Sequence, residues 1–245
     1  MRTIRLFSEQ SLLEGSAINL TGGAADHLIR VLRVREGDAV TLFNGNGKDY
    51  RGSVISHGKS SVTVLLEAAE SVMTEPPVFK ELGLCISKGD RFSWAIQKTT
   101  ELGVGSIVPL YSEKVKYRIP PGRITKRIAH WQAIVISACE QCGRAYVPKV
   151  EHPTSLTEWV RKTDADLKYV LHFGKRTQVI SGTPPKKLAL LIGPEGGLTE
   201  EEVGLAIYNH FIAIQLGPRV LTTETASVVA LSILGEKWGD LGLEF

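Results

Sequence analysis

The 245-residue sequence predicts an α/β protein in which a small β domain precedes a larger domain of alternating strands and helices. Short segments rich in Val, Leu and Ile, separated by turn residues, dominate the first part of the chain. From residue 80 onward, strand-like and helix-like segments alternate, which favours a mostly parallel sheet. A Pro-Pro pair at residues 76–77 separates the two patterns. We therefore predict a β domain over residues 1–70, a linker over residues 71–79 and an α/β domain over residues 80–245.

The β domain is predicted to form a small barrel-like sheet. Its candidate strands are bounded by turn signals, and Asn44-Gly45-Asn46-Gly47 has the composition of a hairpin turn. The predicted strands are Ile4–Phe7, Ala39–Phe43, Tyr50–Ser56 and Ser61–Glu67.

One short helix, residues 24–34, is predicted to interrupt these strands. At α-helical spacing, Leu28, Val31 and Leu32 share one face. Arg30 and Arg33 lie together on another face, three positions apart. These two arginines, and Arg5 on the first strand, are candidates for contact with backbone phosphates or are surface residues that aid solubility.

The α/β domain is predicted to contain five strands and five helices, assigned by apolar periodicity. The predicted strands are Lys80–Ser87, Ser106–Tyr111, Leu167–His172, Leu188–Ile192 and Ile212–Leu216, and the predicted helices are Arg91–Leu102, Arg123–Cys142, Leu156–Arg161, Glu200–Asn209 and Glu224–Trp238.

The composition is that of an ordinary globular protein, with 43% hydrophobic and 22% charged residues. No apolar run approaches the ~20 residues of a membrane helix. The N-terminus enters a strand-like pattern directly and lacks the apolar region of a signal peptide. We therefore expect a cytoplasmic protein without a membrane segment.

The three cysteines are too few for a disulfide framework. Cys139 and Cys142 have C-x-x-C spacing, which occurs in redox sites and as half of a metal site. They lie inside a long helical pattern, and no second ligand pair completes four ligands, so we interpret them as structural thiols. The six histidines have no ligand spacing, and we expect no metal.

The net charge of +3 is unevenly distributed. Residues 1–70 carry eight basic and eight acidic residues, residues 80–150 carry twelve and five, and residues 151–245 carry nine and twelve. A basic central segment is typical of a surface that faces phosphates, although solvated helix faces would give the same excess.

Two loops rich in glycine and proline each follow an apolar strand and open a helix. The first is Gly193-Pro194-Glu195-Gly196-Gly197, and the second is Leu216-Gly217-Pro218-Arg219-Val220-Leu221. In an open α/β sheet such loops lie at the carboxyl ends of strands, where ligands bind. Gly196 and Gly197 are expected to let a ligand approach the backbone. Neither loop has the pattern of a phosphate-binding loop, so the alternatives are a different ligand site or two ordinary turns.

The sequence resembles the family of methyltransferases that act on N3 of a uridine in 16S rRNA, within the SPOUT (trefoil-knot) superfamily. The resemblance covers the whole chain. Besides the two loops and Thr223-Glu224-Thr225-Ala226, it rests on Lys88-Gly89-Asp90-Arg91, Gln97-Lys98, Glu101-Leu102-Gly103-Val104, Pro109-Leu110-Tyr111-Ser112-Glu113, Glu140-Gln141-Cys142-Gly143-Arg144 and Gly239-Asp240-Leu241.

The resemblance implies a PUA-like RNA-binding β-barrel followed by a SPOUT α/β domain with a deep trefoil knot. It implies S-adenosyl-L-methionine as methyl donor, and a uridine near the 3′ end of 16S rRNA, in the assembled small ribosomal subunit, as substrate. It also implies a homodimer, for which the long helix after residue 123 is a candidate interface. The apolar stripe of that helix is equally compatible with an intramolecular core.

The resemblance also assigns site residues. Arg219 is the first candidate for stabilising negative charge on the uracil carbonyls, and Glu224 is either a proton acceptor or a first-turn acid of the last helix. The expected cofactor-binding residues are Leu171, His172, Ile192, Gly193, Pro194, Glu195, Gly196, Gly197, Leu216, Gly217, Val220, Leu221, Thr223 and Ala226, and the expected RNA-binding residues are Arg5, Arg30, Arg33, Lys88, Arg91 and Arg144.

The sequence departs from the family pattern at Thr222, where members commonly carry an arginine. If that arginine is catalytic or contacts RNA, its absence weakens the assignment or shifts its role to Arg219. If it is only a phosphate anchor, activity should survive. Two alternative functions stay open: a catalytically silent RNA-binding or ribosome-assembly factor, and a ribose 2′-O-methyltransferase of the same superfamily. The second usually carries an Asn-x-Gly-type motif with an arginine, which the sequence lacks.

Overall fold

A computed structural model describes residues 4–174 and 182–242. The chain divides into two compact units. The first comprises the N-terminal residues through Glu75 together with Cys139–Val147, and the second comprises Pro76–Ala138 and the residues from Pro148 onward. The sequence did not predict that residues 139–147 group with the N-terminal unit.

The N-terminal unit is built on one mixed sheet. Its strands are β1 (Ile4–Phe7), β2 (Ala17–Thr21), β3 (Ala39–Phe43), β4 (Lys48–His57) and β5 (Ser61–Ser71). The strand order is β1-β3-β4-β5-β2, in which β1 pairs parallel with β3 and the other pairs are antiparallel. Strand β2 was not predicted, because only Ile18 and Leu20 alternate as buried positions in it.

The predicted helix of this unit is in fact two short pieces. Helix α1 (Gly22–Asp26) leads into a π-helical turn over His27–Leu32, which ends at Arg33 with a φ of 54°. The i→i+5 bonds of a π turn change the angular spacing of side chains. Consequently Leu28 is buried whereas Val31 is 64% exposed, so the prediction that these two side chains share one face is wrong.

Residues 139–147 attach to this unit through buried arginines. The Arg5 guanidinium binds the Asp49 carboxylate at 2.7 Å and donates to the carbonyl oxygens of Cys139 and Arg144. Arg144 in turn binds Glu75 at 2.5 Å, with a side chain that is only 4% exposed. Arg5 and Arg144 are thus occupied by internal partners. Their predicted role as phosphate contacts is wrong, because neither guanidinium faces solvent.

The second unit is built on a parallel sheet. Its strands are β6 (Phe79–Cys85), β7 (Ser106–Tyr111), β8 (Lys149–Val150), β9 (Thr154–Ser155), β10 (Leu167–Leu171), β11 (Lys187–Ile192) and β12 (Ile212–Ile214). The order is β12-β10-β11-β6-β7-β8, β9 pairs with β7, and every pair is parallel. The two-residue strands β8 and β9 were not predicted.

The helices of this unit begin and end close to the predicted positions. They are α2 (Arg91–Glu101), α3 (Ile124–Cys142), α4 (Leu156–Lys162), α5 (Glu200–Tyr208) and α6 (Thr223–Trp238). Helix α5 starts with a capping box, in which Thr199 and Glu202 satisfy each other's backbone amides. Helix α2 packs against α6, and α4 packs against α5.

The apolar stripe of α3 contributes to the core. Trp131, Val135 and Ala138 are buried, and the Trp131 ring packs on Phe92 of α2 with centroids 4.6 Å apart. These three side chains are therefore not available as the dimer interface that the stripe suggested.

Among the described residues, no helix is long and apolar enough to cross a membrane. Nor do three or more His, Cys, Asp or Glu side chains cluster there as metal ligands would. The three thiols are free. Burial raises the pKa of Cys85 and of Cys139 to about 12, which keeps both thiols protonated and unreactive at neutral pH.

Candidate active site

Three adjacent parallel strands end at the same edge of the second unit's sheet. Strand β10 lies between β11 and β12, and its register pairs Val170 with Leu191 and Leu171 with Ile214. The His172 amide donates to the Ile214 carbonyl oxygen at 3.0 Å and extends this pairing past the strand end. The carboxyl edge of a parallel sheet is where ligands bind in open α/β folds.

A cavity of about 230 Å³ opens at this edge. Both predicted loops and the first residues of α6 contribute to it, so segments far apart in sequence share one site. Of the predicted residues, Leu171, His172, Ile192, Gly193, Pro194, Glu195, Gly197, Leu216, Arg219, Val220, Leu221, Thr223 and Ala226 line the cavity. Phe173, Leu198, Ile214 and Gln215 line it as well and were not predicted.

The first loop is a tight turn that requires glycine at two positions for different reasons. A Cβ on Gly193 would lie 2.9 Å from the Cγ atom of Leu198, so this position has no room for a side chain. The Gly197 amide donates to the Pro194 carbonyl oxygen at 2.8 Å, and Gly197 has a φ of +69°, which favours glycine. Gly196 is outside the cavity lining, and its Cβ would come no closer than 3.5 Å to Lys114. The structure thus does not bring Gly196 to the cavity wall, and its approach to the ligand stays a prediction.

A short segment after β7 fixes this loop from outside. Lys114 Nζ donates to the carbonyl oxygens of Gly196 at 3.1 Å and Leu198 at 3.3 Å. Glu202 uses one carboxylate oxygen for the Thr199 amide at 2.9 Å and the other for the Glu113 amide at 2.8 Å. The dipeptide Glu113-Lys114 thus holds this loop through two of its backbone carbonyl oxygens and through the Glu202 carboxylate at the start of α5. Sequence reasoning missed it, because the partners are more than eighty positions apart.

The second loop is held by Gln215. The side-chain Nε2 of Gln215 donates to the Gly217 carbonyl oxygen at 2.7 Å, and its side-chain Oε1 accepts from the Gly174 backbone amide at 3.0 Å. Gly217 has a φ of +70° and shapes the turn without lining the cavity. Arg219 and Val220 are exposed at the cavity.

The first turn of α6 closes the cavity. The Thr223 hydroxyl donates to the Gly193 carbonyl oxygen at 3.0 Å and ties the helix to the first loop. Glu224 does not line the cavity, and its buried Oε2 has no hydrogen-bond partner among residues 4–174 and 182–242. Thr222 is exposed, contacts the Thr225 hydroxyl at 3.0 Å and also lies outside the lining.

Two side-chain contacts to acidic residues flank the first loop. The Arg91 guanidinium lies 3.6 Å from the Glu195 carboxylate, and His172 Nε2 lies 3.5 Å from a Glu200 oxygen. Both acidic partners are substantially exposed. Such contacts orient side chains more than they stabilise the fold.

Comparison with known proteins decides the family. A family model described as an RNA methyltransferase domain matches residues 74–235, and one described as an RNA methyltransferase PUA domain matches residues 20–67. The ribosomal RNA small subunit methyltransferase E of Buchnera aphidicola from Schizaphis graminum is 32% identical over 242 residues, which is 98% of both chains. The chain belongs to the ribosomal RNA small subunit methyltransferase E family.

Further relatives agree with this assignment in sequence and structure. The Bacillus subtilis member is 30% identical and covers 93% of both chains. The Neisseria gonorrhoeae member, solved with S-adenosyl methionine, has a TM-score of 0.92 at 34% identity and covers 98% of this chain and 100% of its own. A Legionella pneumophila methyltransferase, solved with the cofactor SAM, has a TM-score of 0.95 at 38% identity with the same coverage.

The remaining basic residues expected of a methyltransferase E protein are on the surface. Arg30 is 74% exposed in its side chain and pairs with Asp26 at 3.2 Å. Arg33, Lys88 and Arg91 are also exposed. Arg30 and Arg33 belong to the N-terminal unit, and Lys88 and Arg91 precede or open α2 in the second unit. These four stay candidates for RNA contact.

Proposed function

We propose that this protein transfers a methyl group from S-adenosyl-L-methionine to N3 of a uridine near the 3′ end of 16S rRNA in the small ribosomal subunit. The observation that carries the proposal is the cavity at the ends of β10, β11 and β12, which is bounded by both glycine-proline loops and has Arg219 at its rim. Membership of the methyltransferase E family supports the same reaction class.

The residues of the cavity fit S-adenosylmethionine. Leu171, Ile192 and Leu221 supply apolar surface for a flat adenine ring. The turn at Gly197 leaves backbone groups within reach of a ribose, since nothing lies within 4 Å of the position that its Cβ would occupy. Glu195 adds a carboxylate whose charge is opposite to that of a sulfonium. The solved relatives from Legionella pneumophila and Neisseria gonorrhoeae carry this cofactor.

The chemistry requires a stronger nucleophile and a fixed geometry. When bound, S-adenosylmethionine supplies a methyl group on a positively charged sulfur that leaves as a neutral thioether. Uracil N3 carries a proton and reacts well only once that proton is lost and negative charge spreads to the carbonyl oxygens. Arg219 presents a permanently charged donor at the exposed side of the cavity, so we assign to it the stabilisation of that charge. The rigid loops hold the methyl donor in a fixed orientation, and such positioning lowers the barrier to methyl transfer.

The proton of N3 needs an acceptor. Glu224 was the protein candidate, but it lies outside the lining of the cavity. We therefore assign the proton to solvent at the open side of the site, and we assign Glu224 to the first turn of α6, where a negative charge interacts favourably with the helix dipole.

Both alternatives are weaker than methylation of N3. A silent assembly factor needs no methyl-donor pocket, whereas this chain keeps a cavity with nearly all expected residues on its walls. The departure at Thr222 does not disturb the cavity, because Thr222 is not part of the lining. A ribose methyltransferase would use a hydroxyl as nucleophile, and the product nucleoside distinguishes the two.

The same proposal includes the finer architecture that the resemblance implies. The C-terminal trefoil knot is proposed from family membership, since the order of the parallel strands is also compatible with an unknotted sheet. The five-stranded sheet of the N-terminal unit supports a PUA-like barrel that binds RNA. We further propose a homodimer in the cytoplasm. Sedimentation at micromolar concentration tests the dimer, and a monomeric mass would contradict it.

The experiment is transfer of labelled methyl from S-adenosylmethionine to small ribosomal subunits that lack this modification, followed by nucleoside analysis. We expect N3-methyluridine. A 2′-O-methylated nucleoside would replace the proposal with the ribose reaction. Cofactor binding without transfer to subunits or to deproteinised RNA would favour the silent factor.

A further inference from the structure

The segment that follows β7 carries an unusual density of positive charge. Between residues 114 and 127 there are six basic residues and no acidic one. None of these six was among the RNA-binding residues expected from the sequence. They are Lys114, Lys116, Arg118, Arg123, Lys126 and Arg127.

This segment is an ordered loop rather than a tail. Val115 and Ile119 are buried, and they anchor the loop at both ends of residues 116–118. The Val115 amide donates to the Ser112 carbonyl oxygen at 3.1 Å, and the Ile119 amide donates to the Tyr111 hydroxyl at 3.3 Å. Residues 116–118 are therefore held outward in a defined conformation. A ligand that binds them causes little further loss of conformational entropy.

The position of the segment is fixed relative to the cavity. Strand β7 is parallel to β6 and β11, so it ends at the edge that holds the cavity. Lys114 then contacts the carbonyl oxygens of Gly196 and Leu198, of which Leu198 lines the cavity and Gly196 belongs to the same loop. The exposed cations start two residues beyond this contact.

The side chains combine cations with an exposed aromatic ring. Tyr117, between Lys116 and Arg118, is 36% exposed. The Arg118 guanidinium lies 5.0 Å from the centre of the Tyr111 ring, which braces it. Positive side chains that follow a nucleic-acid backbone, interleaved with an aromatic ring on which a base stacks, fit a single-stranded RNA. An acidic protein surface would use the cations but not the ring.

We propose that Lys116, Tyr117, Arg118, Arg123 and Lys126, which we call the β7 strip, bind the RNA strand that carries the target base. The inference rests on the proposed function for the identity of the reaction, and it adds the surface that holds the substrate beside the methyl donor. It assigns the contacts next to the cavity to residues other than Arg5 and Arg144, which are occupied internally.

The test compares two triple variants of the full chain. The first is Lys116→Gln, Arg123→Gln and Lys126→Gln. The matched control is Arg161→Gln, Lys162→Gln and Lys186→Gln, which removes three exposed cations at the amino ends of β10 and β11, on the opposite edge of the sheet. Binding of labelled oligouridine is measured over a range of salt concentrations, with S-adenosylmethionine affinity and Tm measured in parallel.

We expect the strip variant to lower the slope of log affinity against log salt by about 2, since each phosphate contact contributes ~0.7. The control should keep the wild-type slope, and both variants should keep the cofactor affinity. An equal change in the two variants, or no change in either, would overturn the proposal. If the triple variant has a lower Tm, Lys116→Gln and Lys126→Gln are measured singly, each with an expected slope change of ~0.7.

Tyr117 gives an independent readout. Tyr117→Leu should weaken oligouridine binding ~5-fold or more at every salt concentration, with the slope unchanged, because stacking is not ionic. If Tyr117→Leu kept the wild-type affinity for oligouridine, Tyr117 would not be part of the RNA-binding surface. These binding measurements need no turnover, so they remain informative if wild-type protein transfers no methyl group. Failure of the proposed reaction and failure of the β7 strip are thus separate results.

Discussion

Lys114 donates a hydrogen bond to the carbonyl oxygen of Gly196 at 3.1 Å, joining two positions that are 82 residues apart in the chain. The bond links the loop after β7 to the loop after β11, and the second of these is a wall of the cavity. A second bond, from the Glu113 amide to Glu202, runs in parallel. The wall is therefore held by a neighbouring connection and not only by its own turn.

Loss of this contact should weaken cofactor binding. In Lys114→Met the aliphatic stem is kept but both hydrogen bonds to the loop are lost, and we expect the Kd for S-adenosylmethionine to rise about 5-fold. Tm should change little, because Lys114 is exposed. Lys116→Met is the matched control, since that exposed lysine belongs to the β7 strip and should leave the cofactor Kd unchanged. Calorimetric titration measures both, and an unchanged Kd in Lys114→Met would contradict the assigned role.

Arg219 should matter for turnover more than for binding. We expect Arg219→Ala to lower kcat about 10²–10³-fold, the usual effect of removing one donor to a developing oxyanion, while the cofactor Kd changes little. Arg219→Lys should restore part of the activity, because it keeps the positive charge. The restoration should be incomplete, because an ammonium lacks the planar fork of a guanidinium. Methyl-transfer kinetics with small ribosomal subunits provide the measurement. A parallel loss of kcat and cofactor affinity would mean that Arg219 only supports the loop.

The strand ends and the cavity were predictable because local sequence encodes them. Each glycine-proline loop follows a run of buried residues and precedes a helix start, so parallel topology alone brings Gly193 and Leu216 to one edge. The contribution of Leu198 was not predictable in this way. It depends on the close packing of that side chain over Gly193, a tertiary contact.

The errors have a shared physical origin, since local pattern does not encode long-range partners. A basic residue on a strand gives the same sequence pattern whether its side chain faces solvent or an internal acid. Arg5 is an example, since it binds Asp49. The burial of Arg144 against Glu75 depends on residues 139–147 joining the N-terminal unit, which no periodicity signals. Leu28 and Val31 do not share a face as predicted, because the α-helical period does not hold in a π turn.

Substitution of alanine should destabilise the protein at one glycine of the first loop and be tolerated at another. Gly193→Ala places a Cβ 2.9 Å from Leu198 Cγ and should cost about 1–3 kcal/mol of unfolding free energy while weakening cofactor binding. Gly196→Ala should be tolerated, since its nearest neighbour would be the Lys114 stem at 3.5 Å. Chemical denaturation and cofactor titration of both variants test this difference. Equal effects of the two substitutions would contradict it.

The pH dependence of stability should reveal Glu140, which is partly buried and accepts a hydrogen bond from the Phe7 amide at 3.0 Å. Burial raises the pKa of this carboxyl above its ordinary value, although the Phe7 amide opposes the shift. A raised folded pKa means that the native state holds the proton more tightly than the unfolded state. Stability is therefore lost as pH rises from the unfolded pKa through the folded one.

Glu140→Gln keeps an oxygen acceptor for the Phe7 amide and removes the buried charge. We expect its Tm to exceed that of the wild type at pH 7, with a smaller difference at pH 4, where the native carboxyl is already protonated. Glu158→Gln is the control of opposite sign, because hydrogen bonds from Lys162 and Thr154 lower the pKa of Glu158. That variant should lose stability at pH 7 and lose less at pH 4, since a carboxylate with a lowered pKa stabilises the fold only when it is ionised. A Tm difference for Glu140→Gln that is the same at both pH values would show that burial of this charge does not control the titration.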